Sequence, residues 1–104
     1  MAVVKAHNEC NSESCKPIAL VEGLLVAIMA ARDTDELDIL RRTTTDLRVL
    51  LERINPDLEL EILHIIGFRE EKVGAVKFTT PASAIDGQIE LGLSYIHDML
   101  ASAA

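Results

Sequence analysis

Residues 58–66 read LELEILHII, and the structure they adopt decides the fold class of this chain. Apolar and acidic residues alternate from Leu58 to Ile62, and an apolar run from Leu63 to Ile66 follows directly. Alternation with a period of two is typical of a strand that has one face in the core and the other in solvent. The isoleucines, which are branched at Cβ, favour the same structure. The stretch therefore predicts a strand.

A second strand-like run lies a few residues further on. Polar residues 69–71 form the connecting turn, and residues 72–79 carry the apolar side chains Val73, Val76 and Phe78. Two such runs joined by a short polar segment predict an antiparallel β-hairpin. An alternative takes Asn55 as a helix cap and Pro56 as the first residue of a short helix, which would make the protein all-α.

Helices are expected on both sides of this hairpin. Residues 17–32 form the first, because proline is favoured at a helix start and apolar residues then recur at helical spacing. Asp33 with Glu36 is a capping-box pattern that starts a second helix over residues 35–54 after almost no loop, which predicts a helical hairpin. Pro81 begins a long C-terminal helix. The expected fold class is therefore α+β: a helical hairpin, a β-hairpin and a C-terminal helix.

The length of 104 residues, with 49% hydrophobic and 26% charged residues, is that of one domain. Residues 1–16 lack a hydrophobic period and predict a flexible arm; residues 17–104 form the single α+β domain. The longest apolar stretch, residues 17–31, is shorter than the roughly 20 residues that a membrane helix needs. No secretory signal is recognised. We therefore expect a cytoplasmic protein without a membrane anchor.

Charge argues against nucleic acid as a partner. Seventeen acidic residues against ten basic ones give a net charge of −7, which repels phosphate backbones, and only 3% of the residues are aromatic. Residues 81–104 carry Asp86, Glu90 and Asp98 but neither Lys nor Arg. This acidic segment favours a protein partner with a basic rim.

Few residues suggest chemistry. His7, Cys10 and Cys15 have the order H-x2-C-x4-C and are weak candidate zinc ligands, but a fourth ligand is missing and the spacing matches no common zinc motif. They leave a small metal or thiol sensor as an alternative function. Glu59 and Glu61 would share one face of the predicted strand, for which a solvated surface is the preferred interpretation. We expect no catalytic residues, no enzyme activity and no cofactor.

Apolar residues outside the predicted core faces are the most informative functional feature. They lie beside the seam of the second helix and off the main stripe of the C-terminal helix, and a mean hydropathy of +0.23 is high for a small domain. We expect a protein-binding surface and a homodimer. The predicted partner-binding residues are an apolar set and an acidic rim: Ile39, Leu50, Leu91 and Tyr95, with Asp86, Glu90 and Asp98.

In overall length, acidic balance and stretches such as residues 21–32 and 47–56, the chain resembles the small quorum-sensing antiactivators. The resemblance implies a noncatalytic regulator that engages the ligand-binding domain of a LuxR-type receptor. It further implies that the regulator competes for the surface on which the receptor dimerises, and so keeps this transcription factor from DNA.

Overall fold

The computed structural model describes residues 15–74 and 82–103, and the regular structure within these ranges is entirely helical. The described residues contain no strand, so the predicted α+β fold is wrong and the fold is all-α. The alternative is correct in making the central segment helical, but the helix begins at Leu58 rather than Pro56, and it is 16 residues long. The helices, in chain order, are α1 (Cys15–Ala30), α2 (Thr34–Asp46), α3 (Arg48–Ile54), α4 (Leu58–Val73) and α5 (Ala82–Ala103).

The predicted first strand is the first half of α4. Read over the whole helix, its buried side chains recur at spacings of four, three, one and three, which is a helical stripe: Leu58, Ile62, Ile65, Ile66 and Arg69. This stripe lies in the middle of the protein, where α4 packs mainly against α5 and α2 and also contacts α1 and α3. Burial on one helical face therefore overrides the strand preference of the alternating residues. Lys72 and Val73, assigned to the second strand, end α4, and residues 75–79 of that strand lie outside the described residues.

The close packing of α4 against α5 depends on Gly92, which is buried. A Cβ atom at this position would lie 2.9 Å from Cγ1 and 3.2 Å from Cδ1 of Ile65. Both distances are shorter than an ordinary contact between carbon atoms. Gly92 thus permits a helix approach that any larger residue would oppose.

The predicted helix 35–54 is present with one interruption, at Leu47 between α2 and α3. The Leu47 N–H donates to the Thr43 carbonyl at 3.0 Å and the Leu47 carbonyl accepts from the Leu51 N–H at 2.9 Å, so helical hydrogen bonds continue across the break. The hydroxyls of the three preceding threonines donate to carbonyls four residues earlier, a pattern that bends helices. The threonine run at residues 43–45 therefore accounts for the position of this break.

The predicted start of the second helix is confirmed. Asp33 is the N-cap of α2, and its Oδ1 accepts from the Glu36 N–H at 2.9 Å. Glu36 in turn accepts from the Arg32 N–H at 2.7 Å through Oε2. Both bonds satisfy backbone donors at the helix entry and hold the short connection from α1. The predicted first helix is also confirmed within two residues at each end.

A buried arginine joins α4 to the end of α1. Arg69 is only 9% exposed, and its guanidinium donates to three carbonyls in the last turn of α1 and just beyond it: Ile28, Met29 and Ala31. The C-terminal end of a helix carries unsatisfied carbonyls and a partial negative charge, and a cation satisfies both. Arg69 of α4 therefore caps the C-terminal end of α1.

The core fills the space between the five helices, and the predicted stripe of α5 contributes to it. Ile85, Ile89, Ile96 and Leu100 are buried, and Leu93 is half-buried. Within residues 15–74 and 82–103, no helix combines the length and apolarity needed to cross a membrane.

Candidate protein-binding surfaces

Leu91 and Tyr95 form an exposed apolar pair on α5. They lie four residues apart, so their side chains are neighbours along the helix, and they are 50% and 52% exposed. At about 100° per residue, both point away from the buried stripe of α5. Asp98 is exposed and lies one turn beyond Tyr95. We call Leu91, Tyr95 and Asp98 the α5 surface.

The two other acidic residues of the predicted rim lie elsewhere on α5. Asp86 forms an ion pair with Lys72 of α4, so its charge is partly used within the fold. Glu90 is exposed, but it precedes Leu91 directly and therefore points about 100° away from it around the helix. Of the predicted rim, only Asp98 adjoins the apolar pair.

Ile39 and Leu50 do not join this surface. Ile39 is 63% exposed and borders a groove between α1 and α2, whereas Leu50 is half-buried in a different groove at the ends of α1, α3 and α5. No residue lines both grooves. The four apolar residues of the predicted partner-binding set thus fall into three separate places on the described part of the protein.

The outer face of α1 is a second exposed apolar surface. Val26 is 69% exposed, and Gly23 and Ala30 are exposed beside it, on the side of the helix opposite the buried Val21 and Ile28. We call Gly23, Val26 and Ala30 the α1 surface. It is absent from the predicted binding residues, although the second apolar face of residues 17–32 is visible in the sequence.

The α1 surface continues into a groove towards α5. Leu25, Val26 and Met29 of α1 line it together with Leu93 and His97 of α5. Glu22 is the only carboxylate in its lining. The outward-facing apolar surface of α1 therefore extends beyond Val26.

Glu59 and Glu61 do not share one face, because they lie in a helix and not in a strand. Glu59 and Glu61 are two apart in α4 and so point in nearly opposite directions, not to one face as in a strand. His64 is half-exposed, and its Nδ1 lies 3.9 Å from Oε1 of Glu61. This separation is too long for a hydrogen bond, so the two side chains form only a loose pair.

Two of the three predicted metal ligands lie outside the described residues. His7 and Cys10 lie outside them, and Cys15 is the first residue of α1. Among residues 15–74 and 82–103, no three His, Cys, Asp or Glu side chains come close enough to hold a metal ion.

Comparison with known proteins adds no relative: no family model matches the chain, and neither a curated protein nor a solved structure is significantly similar to it.

Proposed function

We propose that this protein is a noncatalytic, cytoplasmic antiactivator that binds the ligand-binding domain of a LuxR-type transcription factor through its α5 surface. The observation that carries the proposal is the exposed pair Leu91 and Tyr95, which α5 holds on the side away from the core. The class of partner comes from the resemblance to quorum-sensing antiactivators.

An exposed leucine and tyrosine on a rigid helix suit a protein partner. Tyrosine contributes a large contact area with few rotatable bonds, and such residues carry much of the binding energy of interfaces. The helix fixes their spacing before the partner arrives, which lowers the entropy lost on binding. Leu91 and Tyr95 are therefore the expected anchors of the interface.

Charge would direct the partner to the same surface. Asp98 adjoins the anchors, and the whole chain carries a net charge of −7. Such a charge accelerates association with a basic surface and also repels DNA phosphates. A transcription factor bound to this protein would therefore be hindered from DNA in two ways: its dimerisation surface is covered, and an acidic body is attached to it.

The α1 surface supports the expected homodimer. A symmetric dimer uses the same patch on both copies, and the small residues Gly23 and Ala30 let two helices approach closely around Val26. In this proposal the two apolar surfaces have different tasks: α1 pairs two copies, and α5 binds the receptor.

Affinity capture from the native cytoplasm, with bound proteins identified by mass spectrometry, tests the proposed function. The wild type is compared with the double variant Leu91→Asp, Tyr95→Asp. The matched control is Val49→Asp, Leu60→Asp, because these residues are 67% and 52% exposed on α3 and α4 and the change in charge is the same. A LuxR-type receptor should be enriched by the wild type and the control and lost by the α5 variant. Equal enrichment by all three would show that the α5 surface is not the binding site.

A further inference from the structure

The groove that contains Leu50 has a mixed apolar and basic lining. It has a volume of about 690 Å³ and lies where the N-terminal end of α1 meets α3 and the C-terminal end of α5. Its lining residues are Lys16, Pro17, Leu20, Leu50, Arg53, Ile54 and Ala103. We call it the three-helix groove. Its walls are apolar, and both of its charged residues are cations.

Within residues 15–74 and 82–103, neither of these two cations has an anionic partner. The described residues form three Lys or Arg ion pairs, whose basic members are Arg41, Arg48 and Lys72, and His64 lies 3.9 Å from Glu61. Neither Lys16 nor Arg53 takes part, and no Asp or Glu is among the described residues that line the groove. In a chain with a net charge of −7, two cations that are unpaired among the described residues lie beside one apolar groove and form a local site of opposite charge.

We propose that the three-helix groove binds the carboxylate of a fatty acid. The carboxylate lies between Lys16 and Arg53, where an arginine fork and a lysine ammonium match its charge and geometry. The acyl chain lies along Leu20, Leu50 and Ile54, out of water. The site thus recognises both parts of an amphipathic anion.

The size of the groove favours a single acyl chain over a protein segment. Its volume of about 690 Å³ is within the range of sites for small molecules. A partner helix, with a diameter of about 10 Å including side chains, would require a longer surface than the ends of three helices provide. A bound acyl chain would contact all three helix ends at once and hold them together.

NMR titration of the ¹⁵N-labelled full chain with dodecanoate, below its micelle concentration, tests this site. Chemical-shift changes should concentrate at residues 16–20, 50–54 and 100–103. The double variant Lys16→Gln, Arg53→Gln should bind about fivefold more weakly, the upper value for loss of an exposed ion pair. Arg42→Gln is the control, because Arg42 is an exposed cation that does not line the groove, and it should bind as the wild type does.

Two further ligands separate the charge from the acyl chain. Dodecanol and dodecyltrimethylammonium have the same chain length without the negative charge, and both should bind about fivefold more weakly than dodecanoate. The proposal is overturned by shifts centred elsewhere, by equal binding of the three ligands, or by an unchanged affinity of the double variant. Failure of dodecanoate to bind also overturns the proposal. A protein segment would then be the remaining candidate occupant of the groove. None of these outcomes bears on receptor binding at the α5 surface.

Discussion

The Nη2 atom of Arg69 lies 2.8 Å from the carbonyl oxygen of Ala31 and 3.2 Å from that of Met29, so a side chain of α4 closes the C-terminal end of α1. The described residues give Arg69 no carboxylate partner, and its charge is balanced by helix carbonyls alone. This contact fixes the end of the helix whose outer face carries the α1 surface. The orientation of that surface therefore depends on a residue 43 positions from Val26 in the sequence.

We expect Arg69→Gln to lower the free energy of unfolding by about 2–4 kcal/mol, because buried carbonyls lose charge-assisted hydrogen bonds. Urea unfolding followed by circular dichroism measures this. Arg42→Gln, which removes an exposed cation, should change stability by less than about 0.5 kcal/mol. Similar effects of the two variants would contradict the capping role of Arg69.

Gly92 and Gly87 lie in the same helix, but we expect substitution by alanine to have opposite effects on stability at the two positions. Gly92→Ala should destabilise the fold by about 1–3 kcal/mol, because its Cβ would overlap Ile65 in the core. Gly87→Ala should stabilise it by up to about 1 kcal/mol, since nothing lies within 4 Å of the added Cβ and alanine favours the helix. Thermal or urea unfolding of both variants checks the signs. Stabilisation by both would mean that α4 and α5 pack less closely than described.

Asp33→Ala should cost about 1 kcal/mol, because the first turn of α2 loses its side-chain acceptor. Asp35→Ala is a suitable control, since Asp35 is an exposed carboxylate in the same turn and is not the N-cap. Unfolding free energies in urea compare the two. An equal loss in both variants would indicate a general charge effect at the helix start and no specific cap.

Val26→Asp should convert the expected homodimer into a monomer, because it places a charge in the middle of the α1 surface. Val49→Asp is the matched control, with 67% exposure against 69% for Val26, on α3. Sedimentation equilibrium of both variants and the wild type measures the oligomeric state. A wild-type monomer, or dissociation by both variants, would remove the α1 surface as the dimer contact.

Helices with a long apolar period were predictable, and the central helix was not. In α1 and α5 the buried residues recur over about three turns or more, so the period is unambiguous. In α4 the first five residues alternate, and isoleucine favours strands, so a short window predicts the wrong structure. Only the full 16 residues show the stripe that includes Arg69. The burial of this stripe depends on packing against α2 and α5, and the local sequence cannot reveal that packing.

The candidate surface was predictable only in part. Helical spacing places Leu91 beside Tyr95, and the structure keeps both exposed. Ile39 and Leu50 lie on different helices, and nothing in their spacing shows that they line two different grooves. The ion pair that occupies Asp86 joins residues 14 apart across two helices, and sequence alone gives no sign of it.

We propose above that this protein separates a LuxR-type receptor from its DNA by covering the dimerisation surface. The most direct measurement adds increasing amounts of the protein to the captured receptor bound to its operator, and follows DNA binding and receptor mass together. The account predicts loss of the DNA complex as the receptor dimer is replaced by a mixed complex, and no such loss with Leu91→Asp, Tyr95→Asp. A receptor dimer that stays on DNA with the protein attached would contradict it.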